Sequence, residues 1–210
     1  LLGVAAALGA AIKLQPGLVL AWALVSGRWR AVLAGIATLV IIAAVATLPA
    51  GVAAWTDYAT LVRQVADPVT TDHNVTPGWV ATGLGMSVEA AAALQAAIVA
   101  LTLVALLVST RRCLPVPSLL LAVTASQLIS PILWDHYAVW LLLPVAWLLA
   151  NGHRWAALIP LATSLPLVWL TPLAAYPALF GVTFIALLWA GRTLSRAPEA
   201  RLPAHRSAMN

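Results

Sequence analysis

The run "AVLAGIATLVIIAAVATL" (residues 31–48) contains no charged residue, and residues 90–108 form a second stretch of similar length, also without charge. A segment like this has few places to go. About 20 consecutive apolar residues match the roughly 30 Å hydrocarbon core of a bilayer. Inside lipid, every backbone N–H and C=O must be satisfied within the structure, which leaves helices and closed barrels. A barrel strand alternates apolar and polar side chains over about ten residues, and neither run alternates. The rest of the chain agrees: 63% of residues are hydrophobic, 8% are charged, and mean hydropathy is +0.99. Soluble domains are about 25% charged. The predicted fold is all-α, a polytopic bundle of transmembrane helices.

Seven apolar segments are predicted, at about 1–25, 31–49, 86–108, 117–134, 137–150, 156–171 and 177–190. Their connectors alternate in character. "SGRWR" (26–30), "RRC" (111–113), "NGHRW" (151–155) and "GRTLSRAPEARLPAHR" (191–206) carry nine of the eleven basic residues. The intervening connectors, 50–85, 134–137 and 171–176, hold four Asp and one Arg. By the positive-inside rule the Arg-rich connectors are cytoplasmic and the acidic ones lie outside. The expected domains are a membrane unit over 1–190, with an outer loop at 50–85, and a disordered Arg-rich cytoplasmic tail over 191–210. The pI near 10.4 therefore reads as topology and contact with membrane lipid, with no nucleic acid as partner.

The chain opens on "LLGVAAALGAA", without Met, basic n-region or cleavage site, so these residues are not a signal peptide. The expectation is a C-terminal part of a longer protein. One cysteine, Cys113, excludes an internal disulfide. Arg outnumbers Lys ten to one and Ala is abundant, which points to a GC-rich bacterial gene. HExxH, CxxC, Walker and Gly-rich nucleotide motifs are absent from the sequence, so no metal or cofactor is predicted.

Polar residues that interrupt apolar runs are the candidates for chemistry. Asp135 and His136 sit in "SQLISPILWDHYAVW", flanked by Trp134 and Tyr137, where two apolar segments join with almost no loop. Segment 137–150 covers only about 21 Å as a helix and contains Pro144, so the join is expected near the lipid boundary, facing a cavity. A polar turn that caps two helices is the plainer reading. Lys13, the only Lys, lies in "GAAIKLQPGLVL" three residues before Pro16. It stands about 20 Å of helix from Ser26, too far for its stem to snorkel to the cytoplasmic face. If 1–25 is one kinked span, Lys13 faces a polar cavity in the outer half; if 16–25 lies flat, Lys13 is interfacial. The first is the expectation here. In the outer loop, "WTDYATLVRQVA" has helical apolar spacing, and His73 and Asn74 stand in "TTDHNVTPGW". A loop histidine is more often solvated than functional.

These stretches together resemble glycosyltransferase family 87, multi-spanning GT-C-type enzymes of actinobacteria. The resemblance is carried by "AAIKLQPGLVLAWALVSGRWRA" (10–31), with its Lys-x-x-Pro and Arg-Trp-Arg, by an outer loop ending in Asn-x-Thr, and by "SPILWDHY" (130–137), with its Ser-Pro-x-x-Trp-x-His. It covers roughly residues 5 to 190. It implies a mannosyltransferase that takes its sugar from a polyprenyl-phosphate sugar donor and passes it to a lipid-linked glycan acceptor at the outer face. His136 stands at the family's Trp-x-His histidine and Lys13 at its Lys-x-x-Pro lysine. On this reading His136 and Asp135 are the catalytic candidates, and Lys13, Trp134, Tyr137, His73 and Asn74 bind substrate. Two departures are visible. The family often has Asn-Gln-Ser where this chain reads Asn74-Val75-Thr76. The family's proposed catalytic Asp lies upstream of Leu1, so these residues lack the general base.

Such chemistry suits the residues present. A base takes the proton of the acceptor hydroxyl, and cations or hydrogen-bond donors stabilise the departing phosphate. The competing function is a transporter or flippase-like protein moving a lipid-linked or small solute, whose ionisable residues would sit near the midplane. A structural subunit without chemistry is the third reading.

Overall fold

A computed structural model of the chain describes residues 1–72, 74–163 and 172–196. All regular structure among them is helical. In chain order the helices are α1 (Leu2–Ile12), α2 (Gly17–Val25), α3 (Trp29–Ala50), α4 (Ala53–Val65), α5 (Pro77–Gly83), α6 (Val88–Arg112), α7 (Pro115–Leu128), α8 (Leu142–Ala150), α9 (Leu158–Ala162) and α10 (Ala175–Arg196). Two 3₁₀ segments, Asp135–Leu141 and Arg154–Ala157, precede α8 and α9.

Three helices are long and apolar enough to cross a membrane: α3, α6 and the Ala175–Arg192 part of α10. They coincide with the expected segments 31–49, 86–108 and 177–190. Segment 117–134 is the shorter α7 followed by extended chain, and 137–150 is the tail of a 3₁₀ segment running into α8. Residues 164–171, the second half of expected segment 156–171, lie outside the described residues. So do residues 197–210 of the expected tail, whereas α10 runs helical on to Arg196.

Helix boundaries follow local chemistry. Ser87 caps α6 by accepting from Ala90 N–H at 3.3 Å. Glu89 stands in its first turn and Arg111 and Arg112 in its last, each charge opposing the helix dipole. Pro115 opens α7, where a missing N–H costs nothing. The chain leaves α3 through Gly51 at φ 76°, a left-handed conformation that favours glycine.

Segment 1–25 is not one kinked span. At Lys13 the backbone is extended (φ −144°, ψ 132°), and Pro16, whose ring presets helical φ, starts α2 in the reverse direction. The two arms lie antiparallel and close. A Cβ on Gly9 would sit 3.0 Å from Pro16 Cβ, and one on Gly17 3.7 Å from Ala10 Cβ. The first arm is clamped against the start of α3, where a Cβ on Gly3 would lie 1.8 Å from the Ala31 carbonyl oxygen. This hairpin and α3 thus begin at the same level. Eleven residues carry α1 about 16 Å, whereas twenty-two carry α3 about 33 Å. The hairpin tip ends well below the far end of α3.

At the core, α7 is buried nearly all round, with Leu121, Ala122, Thr124, Ala125, Gln127 and Leu128 all inaccessible. α2, α6, α8 and α10 pack about it. Trp22 on α2 is buried and donates its indole N–H to Ser118 Oγ at 3.0 Å, beneath the Arg28 guanidinium at 4.9 Å from its ring. His153 meets Trp189 edge-on at 5.4 Å, and Gly191 packs beside Cys113 and Pro117. These contacts gather Arg28, Arg30, Arg111, Arg112, Arg154 and Arg192 at one end of the bundle. Lys13, Asp67, Asp135 and His136 are at the other.

Candidate functional site

The site is assembled on a short non-helical segment, Ser130–Leu133, between α7 and the first 3₁₀ segment. Two elements hold it from different sides. From the hairpin tip, Gln15 Nε2 donates to Ser130 Oγ at 3.0 Å, and that oxygen also accepts from Ile132 N–H at 3.2 Å. From the loop between α4 and α5, the Asn74 side chain and Val75 backbone bond to Pro131 and Leu133. The four side chains that follow, Trp134 to Tyr137, are thereby fixed in place.

Trp134, His136 and Tyr137 form one aromatic cluster. Trp134 lies 5.3 Å from His136 and 5.7 Å from Tyr137, centroid to centroid, and His136 meets Tyr137 edge-on at 4.8 Å. Tyr137 is buried; Trp134 is partly open. Asp135 Oδ1 accepts from His136 N–H at 2.7 Å, within the first turn of the 3₁₀ segment, and lies 3.5 Å from His136 Nδ1. Their side chains are 62% and 48% exposed for His136 and Asp135, so as an ion pair the two contribute little stability. The exposure leaves the imidazole accessible to a ligand.

The hairpin brings Lys13 to this cluster. Its ammonium lies 4.0 Å from the Tyr137 ring centroid and 5.9 Å from that of Trp134. Ring faces attract a cation by about 0.5–2 kcal/mol without neutralising it, so the positive charge remains on offer to an anion. Lys13 is thus at the exposed tip of a hairpin, neither on a through-going kinked helix nor on a flat one.

Lys13, Trp134 and Tyr137 line a cavity of about 400 Å³. Gln15, Ser126 and Ser130 add polar groups, while Leu14, Leu18, Ile129 and Ile132 make much of the wall hydrocarbon. The remaining wall is α4, the helix expected in the outer loop, through Tyr58 and Val62, with Ala66 just beyond its end. Trp55 fastens the start of α4 by donating its indole N–H to Thr47 Oγ1 at 2.8 Å. At the other end Asp67 accepts from Val69 and Thr70 N–H, both at 2.8 Å. The Thr70 bond first, then the Val69 bond, hold the Asp67 carboxyl below its usual pKa.

Of the seven expected site residues, Lys13, Trp134 and Tyr137 line the cavity, while His136 packs on the two rings and Asp135 beside it, both outside the lining. Asn74 is near but fully buried, its amide turned to backbone rather than to the cavity. His73 lies outside the described residues. Gln15, Ser130 and the Tyr58–Val62 face of α4 are site components that sequence reasoning missed. Gln15 and Ser130 carried a signal, being polar residues beside Pro16 and Pro131 in otherwise apolar runs.

The described residues thus set one ammonium and the Trp134 and Tyr137 rings on a mostly hydrocarbon-walled cavity, with His136 against those rings. The chain matches the model of Glycosyltransferase family 87 over residues 1–131 and belongs to that family. It is accordingly a glycosyltransferase, with a sugar donor and an acceptor as substrates. The match takes in Lys13, Gln15 and Asn74 and stops at Pro131, three residues before Trp134. No curated protein and no solved structure matches the chain.

Proposed function

We propose that this protein transfers a hexose, mannose in the first instance, from a polyprenyl-phosphate sugar to a lipid-linked glycan at the outer face of the cell membrane. The observation that carries the reading is the position of Lys13. A hairpin that enters from the Arg-rich end delivers one ammonium to a lipid-accessible cavity beside His136. The Arg-rich end is then cytoplasmic by the positive-inside rule, the C-terminus lies inside, and the seven apolar segments form the membrane unit.

In this scheme the donor's prenyl chain lies along the hydrocarbon wall of Leu14, Leu18 and Val62, and its phosphate meets Lys13. The acceptor hydroxyl oxygen attacks the anomeric carbon as the bond from that carbon to the phosphate oxygen breaks. The transition state has oxocarbenium character. Polyprenyl phosphate departs with the bonding electrons, its charge met by Lys13 and His136. Asp135 orients His136 through the contact at 3.5 Å, and Trp134 presents a ring face to the sugar. The hydroxyl proton passes to a carboxylate base of the enzyme.

The test is full-length protein in proteoliposomes with radiolabelled polyprenyl-phosphate mannose, polyprenyl-phosphate glucose and a lipid-linked glycan acceptor. The expected result is a new glycosidic bond, formed faster from the mannose donor. Counterflow of lipid-linked solute with no glycosidic product would replace this reading with the transporter one.

A further inference from the structure

Asn74 joins two walls of the cavity without facing it. The side chain is wholly buried. Its Nδ2 donates to Pro131 O at 2.8 Å, and its Oδ1 accepts from Leu133 N–H at 2.8 Å. Beside it Val75 N–H donates to Leu133 O at 2.7 Å. Three short bonds therefore stitch the outer loop to the segment that ends one residue before Trp134. On its other side Asn74 Nδ2 lies 3.5 Å from Asp67 O, and the Thr76 hydroxyl donates to Pro68 O. Asp67 directly follows Ala66 on the cavity wall. The turn that ends α4 and the stretch that begins the aromatic cluster are thus bound to one residue.

An amide is the side chain suited to this position. It offers a donor and an acceptor on one planar group, matched here to the carbonyl of residue 131 and the N–H of residue 133. A carboxylate has the same shape but would set a second oxygen against the Pro131 carbonyl. The bonds go to residues 131 and 133, just before Trp134, whereas the Lys13 hairpin is tied to the same segment at Ser130 through Gln15.

We infer that Asn74 is a positioning residue of the transfer reaction, holding Trp134 and His136 in register with Lys13 and touching no substrate itself. The inference rests on the reading of the cavity as the transfer site. A displacement of about 1 Å in a reacting group can cost a hundredfold in rate, so loss of the clamp should lower kcat and leave donor binding nearly intact.

The experiment compares wild type, N74A, N74D, H136A and the double variant N74A/H136A in the proteoliposome transfer assay. Hydrogen exchange of the peptide spanning residues 130–137 is followed in parallel. The single Asn74 variants are expected to lose 10- to 100-fold in kcat with donor KM within threefold, and exchange in the peptide to rise while α7 and α10 stay protected. In the H136A background, N74A should cost less than threefold more, because the reacting group of the pair it holds is gone and only Trp134 remains to be displaced. Full multiplication of the two losses, or a large rise in donor KM with kcat preserved, would overturn the inference. If N74A does not fold, N74D keeps the side-chain volume, and T76V, which cuts the bond to Pro68, should reproduce the kcat loss at two- to fivefold. A T76V enzyme with wild-type kcat and wild-type exchange in the 130–137 peptide would count against it. Wild-type protein that forms no glycosidic bond ends the transferase reading, while the exchange measurement still tests the clamp.

Discussion

The Lys13 ammonium lies 4.0 Å from the centroid of the Tyr137 ring, although 124 positions of sequence separate the two residues. Tyr137 is buried and rigidly placed, so the ring fixes where the cation waits. Lys13→Met keeps the stem and removes the charge. Transfer by K13M is expected to fall at least 100-fold, mostly through donor KM. Lys13→Arg should retain part of the activity, since a guanidinium also binds phosphate and stacks on aromatics. Initial rates against donor concentration check both.

Removing the imidazole tests the other side of the cluster. His136→Ala is expected to lower kcat by about 10²–10⁴-fold, the usual range for a lost acid–base or polarising group. Asp135→Asn keeps an acceptor for the His136 N–H and loses only the charge, so its effect should be smaller, within tenfold. Near-normal turnover by H136A would remove His136 from the mechanism.

Packing at the Arg-rich end makes a prediction about stability alone. Ser118→Ala leaves the buried Trp22 indole N–H without its acceptor. An unsatisfied buried donor costs about 1–3 kcal/mol. Thermal unfolding in detergent should shift down by several degrees, with donor KM unchanged because the site lies at the opposite end.

The outer loop should loosen in acid. Asp67 has a folded-state pKa below its usual value, because the Thr70 and Val69 N–H groups favour the charged form. Its stabilisation is therefore complete above the unfolded value and is lost as pH falls through the folded one. Exchange or limited proteolysis of residues 66–76 should accelerate below about pH 4. In Asp67→Asn that step should be absent.

Much of this architecture was legible in the sequence because lipid imposes simple rules. Length and charge alone located α3, α6 and α10, and the Arg-rich connectors foretold which ends lie together. The helical spacing after Trp55 located α4. Failure came at residues 1–25, where hydropathy sums two short arms into one apparent span. The reversal depends on Pro16 and on close approach at Gly3 and Gly9, which an average over a window does not register. The cluster Trp134–Tyr137 was visible as polar residues at a join, and Lys13 as a charge out of place. Their meeting was not, because it depends on the hairpin's direction. Asn74 was read as a substrate contact from its motif, and nothing in "HNVT" discloses that its amide is turned toward the backbone of residues 131 and 133.

The hairpin has a consequence for where in the bilayer the reaction would take place. With the Arg-rich end cytoplasmic, as proposed, its tip would stop short of the outer headgroups, since α1 carries it only about 16 Å from the end where α3 begins. On that orientation the depth of Lys13 would be measured from the inner leaflet, like a dipstick of fixed length. In a thicker membrane the cation would stay at the same height above the cytoplasmic surface while the outer headgroups moved away. A donor phosphate anchored in the outer leaflet would then have farther to sink to meet it. Bilayer thickness itself becomes a control on the rate, set against a helical arm of eleven residues.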